Sequence, residues 1–89
     1  MFERVGPNEA KSDSGFSVRR SGRNDLIYTD QGHRLVVEVE PGDGLAVYMS
    51  QVTAWAEPSD ESISTEKKIE IRENIASALT YLGIRHVMR

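Results

Sequence analysis

Cysteine is absent from this chain of 89 residues, which excludes a disulfide framework, thiolate ligation of zinc and a cysteine nucleophile, and fits a reducing compartment, with the cytoplasm as the default. Long apolar runs are missing too. Nothing approaches the roughly eighteen consecutive apolar residues of a membrane-spanning helix, and the opening segment MFERVGPNEAKSDSGF has no apolar stretch long enough for a signal peptide. A soluble protein is expected, neither secreted nor held in a membrane. Cations are not in excess: Lys and Arg number 11 against 14 Asp and Glu, for a formal charge of -3. Phosphate binding is driven by basic side chains that release counterions, so a nucleic-acid partner is not expected and a basic protein partner is easier to accommodate. Aromatic residues are few, with one Trp, three Tyr and two Phe. A chain this short needs most of its large apolar residues for the core, so an aromatic left on the surface would be informative.

The pattern predicts an α+β domain: an antiparallel β-meander of four to five strands packed on one C-terminal α-helix. Residues 1–15 show little apolar periodicity, with a Gly6-Pro7-Asn8 breaker and a Ser12-Asp13-Ser14-Gly15 loop signature, and read as a loosely held arm ahead of a single domain over 16–89. Phe16, Val18 and Arg20 alternate with Ser17, Arg19 and Ser21 at strand spacing, giving a strand over about 16–20. Leu26-Ile27-Tyr28-Thr29 is β-branched and aromatic, Asp30-Gln31-Gly32 supplies a turn, and the extended pattern resumes at His33, so 25–30 and 33–40 form a hairpin. In its second arm Leu35, Val37 and Val39 fall on one face, and Arg34, Val36, Glu38 and Glu40 on the other. A turn at Pro41-Gly42-Asp43-Gly44 leads to a strand over about 45–50, and 52–56 reads as a further short strand stopped by Pro58. Ser64 is a good N-cap and Gly83 a good C-terminal stop for a helix over about 65–82. Its apolar stripe is Ile71, Ile75, Ala78, Leu79 and Leu82, widened by Ile69 and Ala76, opposite a mixed charged side of Lys67, Lys68, Glu70, Arg72, Glu73 and Asn74. Residues 84–88 alternate again, as a last short strand or a frayed end.

Catalytic equipment is thin. Ser50, His33 and His86 fall in no recognisable motif, no spacing of His or carboxylates suggests a metal, and Gly42-Asp43-Gly44 lacks the pattern of a phosphate loop and precedes a strand. No cofactor is expected. Arg19, Arg20 and Arg23 read as charges protecting a strand edge. Surface recognition remains. Glu38, Glu40 and Asp43 form one acidic group, and Glu57, Asp60 and Glu61 a second one after the Trp. If the meander brings the two together, Tyr48 and Trp55 could stand among carboxylates as a surface for a basic protein, the aromatics giving buried area and the acids fast association. Trp55 has a second reading, as a core anchor where sheet meets helix.

Leu26-Ile27-Tyr28, the Asp-Gln-Gly turn, Arg34-Leu35-Val36-Val37, Gly44 with Val47-Tyr48, Trp55 with Pro58 beyond it, and Ile63-Ser64 leading into Ile71, Ile75 and Leu79 together resemble a family of small bacterial immunity proteins. These neutralise toxin domains of polymorphic-toxin and contact-dependent growth inhibition systems. The resemblance spans about Phe16 to Ile84 and carries no catalytic signature. It implies stoichiometric binding of a cognate toxin C-terminal domain, at or beside its active site, with no reaction performed by this chain. Many such toxins are nucleases with basic clefts, for which an acidic inhibitor acts partly as a substrate mimic. The resemblance supplies no shared binding residues, so Glu38, Glu40, Asp43, Tyr48, Trp55, Glu57, Asp60 and Glu61 rest on the physical reading alone. The competing reading is a small interaction or regulatory module acting as a homodimer.

Overall fold

The computed structural model describes residues 1–59 and 61–89. Seven strands lie in one sheet in the order of the sequence: β1 (Phe2–Gly6), β2 (Glu9–Ser12), β3 (Phe16–Ser21), β4 (Asp25–Asp30), β5 (His33–Gly42), β6 (Gly44–Val47) and β7 (His86–Met88). Neighbours are antiparallel except β6 and β7, which are parallel, because the single helix α1 (Thr65–Tyr81) lies between them in the chain. The helix touches β2 and β3 and also β7, strands from opposite ends of the sheet order, so the sheet curls around it. Among the described residues no helix is long and apolar enough to cross a membrane.

The hairpin of β4 and β5 behaves as its alternation demands. Gln31 and Gly32 both take positive φ, at 49° and 84°, the geometry of a tight two-residue turn that matches strand twist. Asp30 then faces His33, and the pairing runs back without a slip to Asp25 against Glu38. Leu35, Val37 and Val39 join Leu26 and Tyr28 in the core, and the even positions of β5 face outward. The helix follows its signals as well. Ser64 accepts a hydrogen bond from the Lys67 N–H at 3.1 Å. At the other end the Gly83 N–H donates to Thr80 O and the Ile84 N–H to Leu79 O, a paired closure that requires the positive φ of Gly83 (75°). Ile71, Ile75, Ala78 and Leu79 are fully buried against the sheet.

Several expectations are corrected. Residues 1–15 are not an arm, since they supply β1 and β2 and raise the strand count above four to five. Their core-facing residues are Ala10 and Ser12, too small or polar to register as apolar periodicity, while Phe2 packs edge-on against Phe16 and stacks on Tyr81. Because β2 covers one side of β3 and β4 the other, Arg19 and Arg20 sit on an interior strand and not at a sheet edge. Residues 52–56 form no strand: β6 ends at Val47, a 3-10 turn follows at Met49–Gln51, and the returning segment makes only isolated bridges, Ala54 with Ser62 and Arg34 with Glu57. Of residues 84–88, read as a last short strand or a frayed end, His86–Met88 form β7. Ile69 does not widen the helix stripe, since it is 54% exposed.

Candidate functional site

Helix α1 covers one face of the sheet, and the other face is open between β3 and β6. Pairing in register lines up its side chains. Arg19, Ile27 and Val36 stand in one row across β3, β4 and β5, and Ser21, Asp25 and Glu38 in the next. Ile27, in the middle of the row, is buried, and Val36 at its β5 end is 42% exposed, so the apolar part of the row reaches the surface at Val36. Asp25 and Glu38, both exposed, are directly opposed across the hairpin, an arrangement that disfavours folding through like-charge repulsion. Neither makes an ion pair or a side-chain hydrogen bond among the described residues. Beside them a depression of about 530 Å³ opens, lined by Asp25, Val36, Glu38, Tyr48, Gln51 and Thr53 among others.

The residues expected to meet a partner are placed in three groups. Glu38, Glu40, Asp43 and Tyr48 gather on β5 and the start and end of β6, where the Tyr48 hydroxyl donates to Glu40 Oε1 at 3.1 Å. That bond raises the Tyr48 pKa above its ordinary value. Asp43 sits in the exposed turn, 3.5 Å from the Arg85 guanidinium. Glu57 and Glu61 lie at the far end of β5, where each has a basic partner: Arg34 Nη1 is 3.0 Å from Glu57 and His33 Nε2 is 3.0 Å from Glu61. Trp55 is buried, at 7% exposure, with its ring 6.3 Å from that of Tyr28 and 4.8 Å from the His33 imidazole. It is a core anchor in this structure. Asp60 lies outside the described residues.

A second polar cluster joins β4 to α1. The Tyr28 hydroxyl donates to Asp30 Oδ2 at 2.9 Å and accepts from Asn74 Nδ2 at 2.9 Å. Lys67 Nζ reaches the same Asp30 oxygen at 2.9 Å and also bonds Glu70. Burial pushes the Tyr28 phenol well above the ordinary range, with Asn74 opposing and Asp30 adding to the effect. The bond to Glu70 and, after it, Asp30 raise the Lys67 pKa against partial burial. A phenol and an ammonium held protonated in this way are neither bases nor nucleophiles near neutral pH. With its members bonded to one another, the cluster reads as a polar tie between sheet and helix. Among the described residues no group of His and carboxylates fits a metal ion.

His33 gives this end of the molecule a pH dependence. Its Nε2 meets Glu61 and its Nδ1 lies 3.3 Å from the Gln31 carbonyl, so the imidazolium donates on both sides. The Glu61 carboxylate raises its pKa above the ordinary value, against a smaller opposing effect of desolvation. A raised histidine pKa means that the contact stabilises fully below the unfolded value of about 6.5 and is lost as pH rises through the folded one. Because the ring packs on the only Trp, Trp55 fluorescence is expected to follow this titration with a midpoint above about 6.5. Glu61→Gln is expected to lower the midpoint. A midpoint indifferent to that substitution would remove the carboxylate as its cause.

Sequence reasoning placed Val36 outward but missed Asp25 as its neighbour in the acidic row. The signal was present, because a two-residue turn at Gln31-Gly32 fixes every later pair of the hairpin by counting back. No family model, curated protein or solved structure matches the chain.

Proposed function

We propose that the chain is an immunity protein that binds a cognate bacterial toxin domain in the cytoplasm and neutralises it by stoichiometric contact, without catalysing a reaction. The observation that carries this reading is the uncovered outer face of β4, β5 and β6. There Asp25 and Glu38 oppose each other with no ion pair to either among the described residues, and Glu40, Tyr48 and Val36 lie on the same stretch of β5 and the end of β6. Like charges in register lower stability, and a basic partner reverses the sign of that term. Nanomolar binding, about -12 kcal/mol, also needs a few buried contacts, for which half-buried Tyr48 and exposed Val36 are the candidates. Basic clefts are common in nucleases, so a nuclease domain is the proposed target, with the acidic face standing in for its substrate. The resemblance in sequence pattern to small immunity proteins supports the same reading.

Co-expression of this chain with the product of each gene beside its own tests it, one of which should be toxic when expressed alone. Growth should be restored, and the two proteins should purify as a complex of fixed stoichiometry. Failure to protect, or purified chain that turns over a substrate unaided, would overturn the proposal. The homodimer reading draws on exposed Ile69, which lines an apolar recess of about 280 Å³ with Met49, Lys68, Arg72 and Arg89. Light scattering on the chain alone separates the two, since only the second reading requires self-association.

A further inference from the structure

The edge of β5 that faces away from β4 is pinned at two points and open between them. Odd-numbered residues of β5 bond to β4, as the tight turn at Asp30 and His33 requires, so the N–H and C=O of Arg34, Val36 and Glu38 point the other way. Arg34 is satisfied there: its N–H donates to Glu57 O at 2.7 Å, and its carbonyl accepts from the Ala56 and Glu57 N–H groups. Glu38 O accepts from the Tyr48 N–H at 3.0 Å. Between these pins the Val36 N–H and C=O bond to nothing among the described residues. Across the opening stands Ala54. Its bridge to Ser62 is flanked by bonds from Ile63 N–H to Thr53 O and from Trp55 N–H to Glu61 O, a pattern that turns the N–H and C=O of Ala54 itself away from Ser62. They too have no partner among the described residues. The depression of about 530 Å³ is the space that Val36 and Ala54 both border, with Asp25 and Glu38 on its rim.

The dimensions and the chemistry restrict the occupant. The pins at Arg34 and Glu38 are four residues apart on β5, about 13 Å at the rise of a strand. The ends are closed by backbone bonds, so an added strand would have to break them, whereas a single long side chain enters from the open face. An anion is opposed by Asp25 and Glu38. A planar cation suits the two carboxylates and the free carbonyls, and leaves the N–H groups of Val36 and Ala54 to water. Two carboxylates on adjacent strands accept its N–H donors, the free carbonyls of Val36 and Ala54 offer further acceptors, and the exposed Val36 side chain covers an aliphatic stem.

We infer that this recess receives an arginine side chain from the bound protein, its guanidinium held between Asp25 and Glu38 and its stem on Val36. That the arginine belongs to a toxin domain rests on the proposed function; the recognition of arginine does not. The test therefore uses the free chain and a blocked tripeptide, acetyl-Ala-Arg-Ala-amide, followed by amide chemical shifts. Saturable shifts at Val36, Glu38 and Ala54 in the millimolar range are expected. The lysine tripeptide should bind at least about threefold more weakly, since a point charge cannot span both carboxylates. Asp25→Asn with Glu38→Gln should weaken the arginine peptide by about tenfold or more. Both side chains are exposed and mutually repulsive, so this variant should fold at least as stably as the parent, which a denaturation curve checks. Shifts scattered over the whole acidic surface, no saturation, or an unchanged response in the double variant would each overturn the inference. A failed titration with intact growth protection would leave the proposed function standing, and a positive titration without protection would leave the recess standing.

Discussion

Trp55→Ala is expected to lower the free energy of unfolding by about 3–5 kcal/mol, the usual loss for truncating a buried aromatic. The indole lies between the Tyr28 ring and the His33 imidazole and joins the core that the helix covers. Its backbone N–H also ties the returning segment to Glu61 at 2.9 Å. Small domains have about 5–15 kcal/mol of stability in all, so the variant should be only marginally folded at growth temperature. At this chain length each kcal/mol shifts the melting temperature by about 4 °C or more, and the loss should be plain in a circular dichroism melt. Denaturant unfolding should show a lower midpoint with the slope unchanged. Trp55→Phe should recover part of the loss by refilling part of the space. Unchanged stability together with weakened partner binding would instead return Trp55 to the interface.

The Trp question shows what the pattern of residues can and cannot carry. The alternation of Leu35, Val37 and Val39, the turn at Gln31-Gly32 and the cap at Ser64 are local, and local rules describe them correctly. Trp55 has no periodic neighbours to give it a face. Its burial depends on where the segment after the 3-10 turn rejoins β5, at Glu57 and Arg34, a contact between residues far apart in sequence. The first fifteen residues failed for a different reason. Ala10 and Ser12 pack beneath the helix because small side chains let the backbones approach there, and small buried residues leave no apolar signature. Lys67 and Asn74 look like members of a solvated helix side until the buried Tyr28 hydroxyl and Asp30 draw them inward. For the candidate site, the acids of β5 were legible from alternation. Asp25 required the hairpin register, and the recess between Val36 and Ala54 required knowing where pairing stops, which depends on tertiary placement of residues 48–57.

Charge reversal on the open face, Glu38→Lys with Glu40→Lys, is expected to abolish protection while leaving the fold intact. Electrostatic steering raises association rates by about 10- to 1,000-fold when potentials match, so reversing two carboxylates at the centre of the face should slow association with the toxin domain by at least about tenfold. The salt dependence of the on-rate should flatten in step, because added salt screens an attraction that is no longer there. Stability should not fall by much. Asp25 would gain a cation opposite it in place of an anion, a change that favours the hairpin by a few tenths of a kcal/mol to about 1 kcal/mol. Glu57→Lys is the control. Glu57 already has Arg34 at 3.0 Å and stands at the other end of β5, so its reversal should alter the on-rate far less than the pair at Glu38 and Glu40. Equal slowing by all of these reversals would mean that net charge, and not the face of β4 to β6, guides the encounter. An on-rate untouched by the double reversal would remove steering from the account altogether.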